Sequence, residues 1–332
     1  MTRWFSLTDA PLTLHGFAVK EKGKFYRLPE SIIDKVNPGV TALANDAAGC
    51  RIRFRTDSPT IDLRYVPVKF PLASANLGIV GRSCADCYVD GVFRGNRPPN
   101  LDVAIMEVTI RKEPIRQNVV INLPSFNNIR DFEVGIADGA AMEAPLPYAI
   151  ARPIVFYGSS ITHGAAASRP GVAYPAQVAR ALDADYINLG FAGACRGEPI
   201  MANYIASLDM SLFVLDYDHN APNVEHLQAT HEPFYQVIRA AQPELPVVMI
   251  SKPDFDANRT ENARRRAVIQ ATYDRARAAG DRRIWFIDGE TLFGTVDRDA
   301  CTVDGCHPND LGFYRMAQTI TPVLREILSS KD

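Results

Sequence analysis

Four short polar clusters in the second half of the chain carry the residue types that acyl-transfer chemistry uses. They are Gly158-Ser159-Ser160-Ile161-Thr162-His163-Gly164, Asn188-Leu189-Gly190-Phe191-Ala192-Gly193, Asp216-Tyr217-Asp218-His219-Asn220 and Asp304-Gly305-Cys306-His307-Pro308-Asn309-Asp310. Together they supply a hydroxyl, an imidazole, a carboxylate and several amide donors. Attack on an ester by a serine needs those parts: a base to take the proton, a carboxylate to orient the base, and N–H groups for the oxyanion. Singly, each cluster has a plainer reading. A serine at a strand-to-helix turn is most often an N-cap, and Asp-x-x-His before a helix can be a cap beside a satisfied surface histidine. Their conjunction carries the weight.

The elements that must bring these clusters together are legible around them. Residues 154–157, 186–189, 212–215, 247–250 and 284–287 are five short apolar runs, each reading as a strand of a parallel sheet buried on both faces. Helical patterns separate them, at Tyr174–Leu182, Val224–Ala241 and 262–279, the last stopped by Gly280, and 311–328 closes the chain. Repeated strand-then-helix units predict an open, doubly wound sheet whose ligands lie at the carboxyl ends of the strands. The clusters follow the first, second and third runs and precede the last helix, so all four fall on that edge.

The first half has a different rhythm. Arg51-Ile52-Arg53-Phe54-Arg55 and Thr60-Ile61-Asp62-Leu63-Arg64-Tyr65-Val66 alternate polar with apolar, which predicts strands with one face on a core and one in water. Further strands are expected at 87–89, 104–110, 119–123 and 131–136, with Asp90-Gly91 as a tight turn. With no helical pattern between them, they suggest an antiparallel sandwich or jelly roll. The Ala-, Gly- and Pro-rich stretch 139–147 puts the boundary near 150, giving a β domain at 1–150 and an α/β domain at 151–332.

Composition narrows the function classes. The 332 residues hold 36 Lys plus Arg against 38 Asp plus Glu, a formal net charge of −2, which offers no footprint for nucleic acid or an anionic membrane surface. No apolar run approaches the ~20 residues of a membrane span. The start, Met1-Thr2-Arg3-Trp4-Phe5-Ser6, does not read as a secretory signal, so a cytoplasmic location is expected. Six cysteines are too few for a disulfide scaffold. Cys84-Ala85-Asp86-Cys87 has zinc spacing, but no second pair matches it, and buried reduced thiols are the expectation.

With these residues laid out, 153–328 resembles the SGNH, or GDSL-type, hydrolases. Gly158-Ser159-Ser160-Ile161-Thr162 looks like their Gly-Asp-Ser-hydrophobic block, with Ser159 standing where Asp is usual. The resemblance implies Ser160 as nucleophile, His307 as base and Asp304 as the carboxylate that orients it. It also implies an oxyanion hole from the backbone N–H groups of Ser160 and Gly193 and a side chain of the third block. That block departs from the usual Gly-x-Asn-Asp. Asn220 is the chosen donor, because its amide suits the role and a carboxylate at Asp218 would repel the oxyanion. The first half is similar to the β-sandwich that some bacterial members carry, notably carbohydrate esterases. The similarity rests on Gly49-Cys50-Arg51-Ile52-Arg53-Phe54-Arg55-Thr56-Asp57-Ser58 and Ile121-Asn122-Leu123-Pro124, with Lys252-Pro253 and His307-Pro308-Asn309-Asp310-Leu311-Gly312-Phe313 in the second half.

What this resemblance implies is a flavodoxin-like doubly wound sheet behind an all-β sandwich. The activity implied is a serine esterase removing a small acyl group, acetyl above all, from a carbohydrate or similar polar alcohol, without metal or organic cofactor. An acyltransferase using the same triad and a catalytically silent carbohydrate-binding protein are the alternatives. His163 is a candidate for the substrate pocket. Asp216, Asp218 and His219 are expected to brace their loop rather than bind metal. His226 and His231 are expected to be solvated or capping, and Arg264-Arg265-Arg266 a solvated helix face. Tyr88, Phe93 and Phe126 are expected to pack in the core, contact with a sugar ring from the sandwich side being the alternative.

Overall fold

The structure, a computed structural model, describes residues 1–21, 23–68, 77–96 and 105–330. Besides a small two-stranded sheet, Val19–Glu21 with Lys24–Tyr26, the first half forms two large antiparallel sheets. One runs in the order Thr2–Ser6, Ile129–Ala137, Thr60–Pro67, Met106–Arg111. The other runs Met142–Glu143, Arg51–Thr56, Gln117–Asn122, Asp86–Val89, Val92–Gly95, with Thr13–His15 also paired to Arg51–Thr56. Period-two alternation places Ile61, Leu63 and Tyr65 of one sheet and Ile52, Phe54, Val119 and Ile121 of the other in a single core. Asp90 and Gly91, at φ 47° and 78°, make the two-residue turn between Asp86–Val89 and Val92–Gly95. Cys84 and Cys87 are both buried in this core and belong to no metal-competent cluster among the described residues.

Two expectations for this half are corrected. Its fold contains helices after all, at Glu30–Ile33, Pro38–Leu43 and Ile79–Ser83, each too short to show a period in the sequence. The polar face of Arg51–Thr56 is not in water: Arg51 and Arg53 are 2% and 5% exposed. That face lies against the second half, where Arg51 pairs with Asp185 and donates to the Tyr186 carbonyl. Ala104, at the start of one expected strand, lies outside the described residues; the strand there is Met106–Arg111.

The second half is a five-stranded parallel sheet in the order Ala184–Gly190, Ile150–Gly158, Leu212–Asp216, Val247–Ile250, Ile284–Ile287. With strands numbered by sequence this is 2-1-3-4-5, the flavodoxin-like arrangement. Helices cover both faces, which explains the uninterrupted apolar runs. Along one strand Ile154 and Phe156 face a core with Val178, Phe313 and Leu324, while Val155 and Tyr157 face another with Leu227, Phe234 and Ile269. The Val224–Ala241 helix starts at its N-cap Asn223, and Asn258 and Asn309 cap Arg259–Ala278 and Asp310–Ser329. One helix, Pro199–Ala206, escapes the sequence reading. No helix of the described residues is long and apolar enough to cross a membrane.

Candidate active site

Ser160 sits where the first parallel strand, Ile150–Gly158, breaks into a single helical turn, Ser160–His163. Ser159 caps that turn by accepting from the Ile161 N–H at 3.1 Å. The turn lies so close to the second strand that a Cβ on Gly190 would stand 2.3 Å from the His163 nitrogen, so only glycine fits. It is also tied to the third strand. The Thr162 hydroxyl donates to Asp216 Oδ2 at 2.9 Å and the Tyr174 hydroxyl donates to the same oxygen at 2.7 Å. Burial pushes the Asp216 carboxyl up to about 7.

Across from this turn, Ser160 Oγ lies 3.0 Å from His307 Nε2, and His307 Nδ1 lies 2.8 Å from Asp304 Oδ2. The other Asp304 oxygen accepts from the backbone N–H groups of His307 and Cys306, at 2.7 and 3.1 Å. An aspartate bonded to the backbone two and three residues on is a self-closing turn, so the spacing Asp-x-x-His itself sets the carboxylate against the ring. Burial raises the Asp304 carboxyl, but these bonds from His307 and Cys306 outweigh it and hold it low. His307 is pushed up to about 9, first by its hydrogen bond with Cys306 and then by Asp304, against the effect of burial. A neutral ring with Nδ1–H on Asp304 turns the Nε2 lone pair to the serine hydroxyl.

The donor side of the site is assembled from both halves of the chain. Ser160 is the first residue of its turn, so its N–H has no place in the helical ladder. With only one turn, the macrodipole adds little. Gly193 has φ 71°, the left-handed region. Its loop is anchored by Asn188, whose Nδ2 donates to the Thr162 carbonyl at 2.7 Å. Arg27, fully buried, donates from Nη1 to the Asn188 and Gly190 carbonyls at 3.0 and 2.7 Å, and Asn37 donates to that of Ala194 at 3.0 Å. Asn220 ends the 3₁₀ turn Asp218–Asn220, and its side chain makes no hydrogen bond to another described residue. That turn is clamped by Arg265, which donates to Asp218 Oδ1 and to the Ala221 carbonyl, both at 2.8 Å, and to the Asp218 carbonyl.

Several expectations change here. His163 is 1% exposed, with Nε2 2.7 Å from the Ser125 carbonyl and Phe126 stacked on its ring at 3.9 Å between centroids. Its Nδ1 faces the Ala192 N–H at 3.4 Å. It joins a sandwich loop to the Gly193 loop instead of facing open pocket. Arg265 is buried, not solvated, whereas Arg264 and Arg266 pair with surface carboxylates. His231 is buried too, hydrogen-bonded to Thr272 at 3.1 Å and pushed down to about 3 by burial. A signal for Arg265 was present: Asn262, Arg265, Ile269, Thr272 and Ala276 form one buried stripe at helical spacing. His231 lies on such a stripe with Leu227, Phe234 and Ile238. His226, by contrast, is partly exposed and bonded to the Arg196 carbonyl. Tyr88 lines a cavity of about 260 Å³ between the two halves that none of Ser160, Asp304 and His307 borders, and Phe93, which packs on the Tyr88 ring, is exposed instead of in the core. The bracing expected of Asp216, Asp218 and His219 is what the contacts show, with His219 bonded to Asp254 and Cys306.

Comparison with known proteins places this geometry. Residues 151–325, more than half of the chain, match the model of the GDSL-like lipase/acylhydrolase family. The chain belongs to that family. Residues 2–142 match a second model, the N-terminus of SGNH-hydrolase-type esterases. Among solved structures, a GDSL-like lipase from Bacteroides ovatus is 29% identical, with TM-score 0.88 over 100% of this chain and 99% of that one. The salicylyl-acyltransferase SsfX3 from a tetracycline biosynthetic pathway is 24% identical, with TM-score 0.81 over 98% of this chain and 97% of that one. A family two carbohydrate esterase from Clostridium thermocellum, in complex with cellohexaose, shares the fold at 15% identity, with TM-score 0.61 over 85% of this chain and 94% of that one. No match was found among curated proteins. Membership of the GDSL-like family makes this protein a carboxylic ester hydrolase by class, with the parallel sheet and N-terminal β-sandwich described above.

Proposed function

We propose that this protein is a serine esterase that removes a small acyl group, acetyl above all, from a carbohydrate or similar polar alcohol, working through Ser160, His307 and Asp304. The observation that carries the reading is the unbroken hydrogen-bond chain Ser160 Oγ–His307–Asp304, at 3.0 and 2.8 Å. The boundary near 150 belongs to the same reading: a sandwich of residues 1–150 supports a catalytic unit of 151–332.

In this mechanism His307 takes the Ser160 proton as the hydroxyl attacks the ester carbonyl, and Asp304 stabilises the imidazolium that forms. The oxyanion is held by the N–H groups of Ser160 and Gly193 and the Asn220 amide, each worth about 2.7–4 kcal/mol of barrier. His307 returns the proton to the leaving alcohol. Water, deprotonated by the same imidazole, then releases the acid from the acyl-enzyme. An open groove of about 730 Å³ beside Asp304 offers room for the alcohol, bordered by the polar Asp256, Arg298 and Thr302 and the apolar Ala257, Phe293 and Val303. The acetyl sugar itself is carried by the likeness to carbohydrate esterases.

Ser160→Ala tests the reading. It should lose nearly all turnover of p-nitrophenyl acetate while circular dichroism and thermal unfolding stay as in the wild type; retained turnover moves the nucleophile elsewhere. A panel of acetylated sugars then reads the substrate. Ester product outrunning free acid when alcohols are supplied would make the protein an acyltransferase, and tight sugar binding without turnover a silent binder.

A further inference from the structure

Two groups of His, Cys and carboxylate side chains converge closely enough among the described residues to hold a metal ion. One is the Asp304–Cys306–His307 end of the triad. The other shares Cys306 with it and adds His219 and Asp254, neither of which takes a chemical step in the acyl transfer proposed above. These three come from separate segments, after the third strand, after the fourth and before the last helix, so the sheet's carboxyl edge brings them together.

The spacing suits a small tetrahedral ion. His219 Nε2 lies 3.2 Å from Cys306 Sγ and 3.3 Å from Asp254 Oδ2. Zinc bonds of about 2.3 Å to sulfur and about 2.0–2.2 Å to nitrogen and oxygen set tetrahedral ligands roughly 3.4–3.6 Å apart; the two distances from His219 fall within a few tenths of an ångström of that, and the Asp254 and Cys306 ligand atoms lie within 4.8 Å of each other. Asp254 is 6% exposed, and its second oxygen, Oδ1, is buried without a hydrogen-bond partner, acceptor capacity that the protein leaves unspent. A mixed sulfur, nitrogen and oxygen set disfavours Mg²⁺ and Ca²⁺, which take oxygen ligands. One group opposes the ion: Lys252 Nζ, 3.3 Å from Asp254 Oδ2, must swing away.

We propose that His219, Asp254 and Cys306 form a site for a divalent transition metal, Zn²⁺ being the best match. Cys306 is followed directly by His307, and His219 directly by Asn220. A metal held here would tie down both segments. The binding stands on the three ligands alone and does not depend on the esterase reading.

Full-length protein, freed of metal by chelation and with its thiols reduced, is titrated with Co²⁺ as a spectroscopic stand-in and then with Zn²⁺. Expected are a thiolate-to-cobalt absorption in the near ultraviolet and tetrahedral bands in the visible, saturating at one equivalent and displaced by Zn²⁺. Cys306→Ser should lose the thiolate band. His219→Gln and Asp254→Asn should weaken binding by about tenfold or more, Lys252→Met should tighten it, and His307→Gln should keep it. Absence of the band in protein whose thiols are shown to be free overturns the site. So does a band lost in His307→Gln but kept in His219→Gln and Asp254→Asn, which puts the ion on the triad. A protein that shows the band but never turns over esters has lost the esterase reading and kept the site.

Discussion

Replacing Arg265 by leucine should strike stability and catalysis by two separable routes. Arg265 is 5% exposed and Asp218 1%, and their charges meet at 2.8 Å. Without the guanidinium, the Asp218 side chain keeps only the Lys252 backbone N–H, at 3.0 Å. Removing one partner of a buried pair typically costs about 3–5 kcal/mol, most of it the charge left behind. Asp218→Asn in the same chain removes that charge, so the double variant should recover most of the stability. Catalysis should not follow. Arg265 Nη2 also holds the carbonyls of Asp218 and Ala221, which flank Asn220. Both variants lack that clamp, and kcat on p-nitrophenyl acetate should fall by up to the 10²–10³, roughly, that one oxyanion donor is worth. Urea unfolding and steady-state kinetics on the two variants read both routes. A double variant no more stable than the single refutes the buried-charge reasoning. An unchanged kcat in folded Arg265→Leu refutes the link from this clamp to the oxyanion site.

Three further outcomes are expected. Asn220→Ala should lower kcat by about 10²–10³ with little change in KM; an unchanged kcat would remove the Asn220 amide from the oxyanion site. Asp304→Asn should lower kcat by as much as about 10⁴, because an amide does not hold the ring in the right tautomer, and a loss below tenfold would remove Asp304 from the mechanism. His307 works as a base only when neutral, and Cys306 is the first of the groups that raise it to about 9. Cys306→Ser should therefore lower its pKa, shift the acid limb of the pH–rate profile to lower pH and raise the rate at neutral pH. An acid limb that stays put removes Cys306 from the control of His307.

The fold was most legible where burial is two-sided or the helical stripe is long. The runs 154–157 and 212–215 alternate between two separate cores, so every position is apolar and the strand stands out. The helix Val224–Ala241 shows its full length because its cap, Asn223, and its stripe agree. Thr13–His15, Val19–Glu21 and Lys24–Tyr26 are three residues each, too short for any period to show. The positions of Ser160, Asp304 and His307 were legible because their spacing is local to two turns. What lies between distant segments was not. Arg51 looked like a solvent-facing residue because its partner Asp185 is 134 positions away, and Arg265 looked like surface because Asp218 is 47 positions away. His163 looked like a pocket residue, and only the sandwich loop at Ser125 and Phe126 reveals that it is enclosed.

The central claim is that Ser160 receives the acyl group from the ester. Rapid-quench mass spectrometry of the wild-type protein with p-nitrophenyl acetate measures this directly. The account predicts an acetyl group on Ser160, formed within the first turnover and absent in Ser160→Ala. An acetyl group on Cys306 instead, or steady turnover with Ser160 never modified, would contradict it.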